Sequence, residues 1–106
     1  MILTDYQLIV TIVNKGMAGK VIAASKKAGA KGGTVLYGRG TGIHEQAKIF
    51  GITIEPEKEI ILILVKEDKS KETLDKIVAD IDLSKPGKGI AFVIPVEKVL
   101  GISHDL

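Results

Sequence analysis

The sequence predicts an α+β chain made of two strand–helix–strand halves that share one antiparallel sheet. Three observations carry this. Residues 7–14 and 60–65 are apolar, β-branched runs of strand length. Residues 17–28 and 74–81 switch to helical spacing. Glycine clusters at residues 29–33 and 87–89 punctuate the chain after each helix.

The first strand is expected over residues 7–14 and ends at Asn14-Lys15-Gly16. From Met17, residues Ala18, Val21, Ile22, Ser25 and Ala28 fall on one helical face, with Lys20, Lys26 and Lys27 toward solvent. Gly29 suits the helix stop. Gly32-Gly33 leads into a short second strand over residues 34–37. Residues 39–57 carry no strong pattern, apart from a helical turn expected over residues 45–50. Nineteen such residues are long for a connection in a small domain, and loops of that length are often functional.

The third strand spans residues 59–66. Its stretch 60–65 has no polar position, so both faces should be covered. The second helix should open with Asp68 or Ser70 as N-cap and bury Leu74, Ile77, Val78 and Ile81. Residues 84–89 form a second glycine loop. Residues 90–96 make the last strand, where Pro95 indicates an edge or a strand end. Val99, Leu100 and Ile102 are expected to pack as a short cap. This order gives the ferredoxin-like (βαβ)2 arrangement, an antiparallel sheet with two helices on one face. Something must cover the other face, and in so short a chain a further copy of itself is the natural cover.

Bulk properties narrow the function. The 106 residues suggest a single domain, 1–106. A net charge of +2 does not argue for a nucleic-acid partner. The absence of cysteine excludes disulfides and thiolate metal sites. Residues 1–6 lack the features of a signal peptide, and the longest apolar run is far too short to span a membrane. A cytoplasmic protein is expected.

The chemistry-bearing residues cluster in the glycine loops. Gly38-Arg39-Gly40-Thr41-Gly42 reads as an anion-binding loop: glycines let backbone N–H groups approach a phosphate, Arg39 can fork onto it, and Thr41 adds a hydroxyl. It reads equally as a glycine-rich hairpin exit. Gly87-Lys88-Gly89 is a second basic glycine loop, and the two could meet across a subunit interface around a polyphosphate. Lys58 lies near the long loop and could reach the same anion. Gly16-Met17-Ala18-Gly19-Lys20 is not a P-loop, because the spacing is wrong and Val21 replaces the magnesium-binding hydroxyl. His44 and His104 are too far apart, and too poorly supported by carboxylates, to define a metal site. No nucleophile motif or acid/base pair is evident, so no enzyme is expected. Tyr37 and Phe92 do not make an RNA-stacking platform.

Residues 86–99, Pro-Gly-Lys-Gly-Ile-Ala-Phe-Val-Ile-Pro-Val-Glu-Lys-Val, resemble the PII signal-transduction (nitrogen-regulatory) family. That family has a Gly-Asp-Gly-Lys turn followed by Ile-Phe-Val-x-Pro-Val-Glu-x-Val. Gly32-Gly33-Thr34-Val35 is similar to its Gly-Met-Thr-Val. The resemblance implies a ferredoxin-like homotrimer with an adenine nucleotide (ATP, ADP or AMP) in clefts between subunits. It further implies a T-loop, here residues 39–57, that regulates a partner protein such as a transporter, an enzyme or a transcription regulator. Gly32, Thr34, Gly40 and Gly42 fall where the family contacts nucleotide or begins the T-loop. Gly87 and Gly89 match its B-loop, here residues 84–89, with Lys88 where the family has Asp.

Departures accompany the match. Ile90 stands at the family's B-loop lysine, Gly101 and Ser103 at its paired basic residues, and Leu62 at the polar residue that reads the base. The tyrosine that many members carry in the T-loop is missing. Arg39, Lys58 and Lys88 are candidate replacements for the lost positive charge, while magnesium and 2-oxoglutarate dependence stay open, as does a cyclic nucleotide ligand. The resulting ligand set is Gly32, Thr34, Arg39, Gly40, Thr41, Gly42, Lys58, Gly87, Lys88 and Gly89. The alternative is a CutA-like trimeric metal-binding or scaffold protein of the same architecture without nucleotide.

Overall fold

The computed structural model describes residues 2–42, 47–49 and 51–102, with residues 47–49, 53 and 54 described by their backbone. The elements run β1 (Tyr6–Asn14), α1 (Ala18–Lys27), β2 (Thr34–Arg39), β3 (Ala47–Ile49), β4 (Ile52–Ile54), β5 (Glu57–Lys66), α2 (Glu67–Asp80) and β6 (Ile90–Val96). The main sheet has the order β2-β5-β1-β6, with every pairing antiparallel. Two βαβ halves thus interleave into one ferredoxin-like sheet.

Alternation along the strands decides the layers, because successive residues point to opposite faces. Ile9 and Val13 of β1 and Ile61, Ile63 and Val65 of β5 are buried beneath the helices. Val21 and Ala24 of α1 and Ile77 and Ile81 close the same core. Of the stripes read from sequence, Val21, Ser25, Ile77 and Ile81 are buried, and Ala18, Ile22 and Leu74 pack against the core. Val78 is only half-buried, whereas Ala24 and Thr73, outside those stripes, are buried.

The opposite face is also apolar. Cross-strand register aligns Leu36, Ile60, Ile12 and Ile90 in one row, Thr34, Leu62, Val10 and Phe92 in the next, and Leu64, Leu8 and Ile94 in a third. Leu36, Ile90, Phe92 and Ile94 are 41–58% exposed in the single chain. A contiguous apolar face of this kind is characteristic of an interaction surface.

Four expectations are corrected. The second strand continues past Tyr37, because Gly38 and Arg39 pair with Lys58 and Glu57. An oppositely charged cross-strand pair favours that extension. The patternless stretch holds a hairpin in place of a helical turn: β3 pairs with β4 around Gly51 at φ 79°. Its β-branched residues, with glycine at the reversal, suit a hairpin better than a helix. Residues 43–46 and 50, including His44, lie outside the described residues, as does His104. Neither Asp68 nor Ser70 caps α2. The N-cap is Lys66, without a side-chain cap bond, and Glu67 and Asp68 fall in the first turn. There their charge suits the helix dipole. Finally, Val99 is buried and bridges to Leu3, but Leu100 is 68% exposed and takes no part in a cap.

β6 is an edge strand of this sheet, as Pro95 indicated. Its start is set by Gly89, at φ 129°, where an added Cβ would collide with the Ile12 carbonyl oxygen and crowd Val13. The 84–89 turn therefore lies directly on β1. Gly89→Ala is expected to lower stability by about 2–3 kcal/mol, combining left-handed strain with backbone collision. Lys88→Ala, at an exposed neighbour, should change it by less than about 0.5 kcal/mol. Denaturation at matched protein concentration checks both, and equal midpoints would refute the assignment.

Candidate functional site

The start of β5 organises one end of the sheet, because three consecutive residues there reach back to the turn between β1 and α1. Glu57 pairs with Lys15 at 2.9 Å, and its carbonyl accepts from the Lys15 N–H at 3.3 Å. The Lys58 ammonium donates to Asn14 Oδ1 at 2.6 Å. Glu59 Oε1 accepts from the N–H groups of Gly16 at 2.9 Å and Ala18 at 2.8 Å.

The last pair explains how α1 begins without a cap of its own. Met17, its N-cap, makes no side-chain cap bond. A buried carboxylate from another element supplies the missing acceptor, where negative charge suits the helix dipole. Glu59 closes the acidic run Glu55-Pro56-Glu57-Lys58-Glu59, which by residue type alone reads as a charged turn.

Beside this anchor lies an open cleft of about 520 Å³, lined by Lys15, Tyr37, Gly38, Arg39, Glu57 and Lys58. Three cations face one carboxylate, so its charge suits an anion. Lys58 is only 7% exposed, yet it contributes to the lining. Arg39 is exposed, and its charge also acts on Glu57. The hydrogen bond to Glu57, followed by that carboxylate's charge, raises the Lys15 pKa. The same hydrogen bond, then the Lys15 charge and more distantly Arg39, lowers that of Glu57.

The predicted ligand residues fall into four places. Arg39 and Lys58 meet in this cleft. Gly40, Thr41 and Gly42 follow it along the chain. Gly87, Lys88 and Gly89 lie beyond β1 and connect to it through Asn14 Nδ2, which donates to the Gly87 carbonyl at 3.3 Å. Gly32 and Thr34 sit at the far end of β2. From Thr34 to Arg39 an extended strand covers roughly 17 Å. They are therefore remote from the cleft of their own chain.

The two glycine loops differ in backbone. Gly38 lies in extended β2, and Gly40 donates its N–H to Pro56 O at 3.2 Å. The first loop is thus pinned as a strand exit, and the Gly40 amide is not offered to a ligand. Left-handed glycines, which suit a backbone anion cradle, occur in the second loop at Gly87 (φ 78°) and Gly89. Lys15, Tyr37 and Glu57 are cleft residues that sequence reading did not select. The only signal for them was proximity to positions whose pairing register was unknown.

The Lys15–Glu57 pair makes a pH prediction. Its depressed Glu57 pKa contributes stability above the ordinary carboxylate value of 4.5, and this is lost as pH falls through the folded-state value. Its raised Lys15 pKa contributes below 10.5, and this is lost as pH rises through the folded value. Both side chains are exposed, so added salt should weaken the effect. Carboxyl-detected NMR titration should find Glu57 ionising below 4.5 in the native protein and nearer 4.5 in Lys15→Met. An unchanged value in that variant would remove Lys15 as the cause.

Two comparisons with known proteins bear on this arrangement. The family model described as nitrogen regulatory protein P-II matches residues 6–105. A crystal structure of Arabidopsis thaliana PII bound to citrate superposes with a TM-score of 0.71 at 25% sequence identity, covering 93% of this chain and 84% of that one.

Proposed function

Because the chain belongs to the nitrogen regulatory P-II family, we propose that it is a signalling protein working as a homotrimer with adenine nucleotide in clefts between subunits. Ligand occupancy is passed to a regulated protein through residues 39–57. The nucleotide is bound and not turned over. Family membership favours this reading over a CutA-like one.

The observation that carries the proposal is the split placement of the ligand residues. Thr34 lies roughly 17 Å from Arg39 along β2, and Gly32 precedes the strand at that same end. In one chain they cannot share a small ligand with Arg39, Lys58 and Gly87. Between two chains packed by their apolar sheet faces, the far end of one β2 can meet the cleft of a neighbour. The three apolar rows supply the driving force, at about 25 cal/mol for each Å² of apolar surface removed from water.

Within such a cleft, the left-handed glycines of the 84–89 turn suit phosphate oxygens, and Arg39, Lys58 and Lys88 supply charge. Leu62 lies among Thr34, Val10 and Phe92, so its surroundings offer a base apolar contact with little polar reading. Discrimination among ATP, ADP and AMP then falls mainly on phosphate count. The relative bound to citrate shows that a member of this family accommodates a small polycarboxylate, and the three cations of the cleft suit that chemistry as well.

Light scattering should give three subunits, and calorimetry should show adenine nucleotide binding. Arg39→Ala should weaken it roughly tenfold, the worth of one charge-assisted contact, with the subunit count unchanged. Lys88→Ala should do likewise. A trimer that binds no adenine nucleotide would sink the ligand assignment, and a monomer would sink the site.

A further inference from the structure

Asn14 stands between the two loop bases and touches both. The Lys58 ammonium donates to its Oδ1 at 2.6 Å, and its Nδ2 donates to the Gly87 carbonyl at 3.3 Å. An ammonium can only donate and a backbone carbonyl can only accept. One orientation of the carboxamide satisfies both, so the chemistry fixes which end faces which partner. Aspartate could hold Lys58 but offers no donor to Gly87. An aliphatic side chain could do neither.

Each end of this relay matters elsewhere. Lys58 is a cation of the cleft, and its nearly complete burial leaves it little freedom except as its acceptors allow. Gly87 lies two residues before Gly89, where an added Cβ would collide with the Ile12 carbonyl oxygen. The placement of the cleft cation and the seating of the 84–89 turn on β1 therefore share one side chain.

We propose that Asn14 is a positioning residue that couples the two loop bases, setting the Lys58 ammonium and the 84–89 turn as one unit through the two ends of its carboxamide. The cleft is pre-organised for an anion when the turn is seated. By linkage, an anion held by Lys58 tightens the seating of the turn by the same factor. The ligand half of this proposal rests on the nucleotide reading above. The mechanical half needs no ligand.

Amide hydrogen exchange on the intact, ligand-free protein tests the mechanical half. Lys58→Met keeps an unbranched stem and removes the ammonium. It should accelerate exchange at residues 87–89 at least threefold, as should Asn14→Ala. The double variant should be no faster than the faster single one. Lys15→Met removes a cleft cation outside the relay and should leave these amides unchanged. Asn14→Asp keeps the acceptor for Lys58 and loses the donor to Gly87, so it guards against a Lys58 variant that fails to fold. It should accelerate residues 87–89 to the same extent. Unchanged exchange in Lys58→Met or Asn14→Asp, or additive acceleration in the double variant, would overturn the coupling.

ATP calorimetry tests the other half. Asn14→Ala should weaken binding several-fold in the otherwise unaltered protein and have no further effect in Lys58→Met. Additive losses would mean that Asn14 does not act through Lys58. Absence of ATP binding in the unaltered protein would overturn the nucleotide reading, while the exchange comparison would still decide the coupling.

Discussion

Three consecutive side chains, Glu57, Lys58 and Glu59, hold one end of the sheet together. Strand alternation sends Glu59 beneath the helices, where its carboxylate accepts the first free N–H groups of α1. The same alternation sends Lys58 to the other face and to Asn14. Glu57 closes onto Lys15 at the strand's end. One strand start thereby fixes a helix terminus, a cleft cation and the point where residues 39–57 rejoin the sheet. Burial makes the Glu59 and Lys58 bonds consequential, because a buried charge without a partner is costly. The exposed Lys15–Glu57 pair serves chiefly to shape the cleft.

The second constraint is the sheet's unshielded face. The helices cover one side of β5 and β1, and the rows through Leu36, Phe92 and Leu64 remain open on the other. An apolar surface of that extent gains by meeting another like it, and closed symmetry is the usual solution for identical chains. The proposed site follows from the same geometry. In the proposed trimer, residues too far apart to cooperate within one chain would become neighbours between chains, so assembly and ligand binding would depend on one face.

Much of this was legible in the residues. The β-branched runs and the two helical stripes defined the elements, and Pro95 marked an edge. Residues 39–57 were not legible, because short strands in a hairpin carry no period long enough to see. The extension of β2 to Arg39 was hidden for another reason: glycine and arginine are poor strand signals, and pairing with Lys58 and Glu57 overrides local preference. The capping role of Glu59 was hidden too, since the helix it serves begins 41 residues earlier in the chain. Of the glycines, only the fold could tell the strand exit at Gly38 and Gly40 from the left-handed turn at Gly87 and Gly89.

By itself, the sequence determined the order of the four main-sheet strands and the two helices, the two-layer α+β class and the resemblance that the family match bears out. Periodicity and short motifs are local properties, and these conclusions need nothing more. Only the tertiary structure decided which charged residues share a space. Arg39, Lys15 and Lys58 converge, Gly32 and Thr34 do not join them, and Asn14 links the cleft to the second glycine turn. The reason is register: which side chains meet across a sheet depends on strand pairing between distant segments, and no local pattern encodes it.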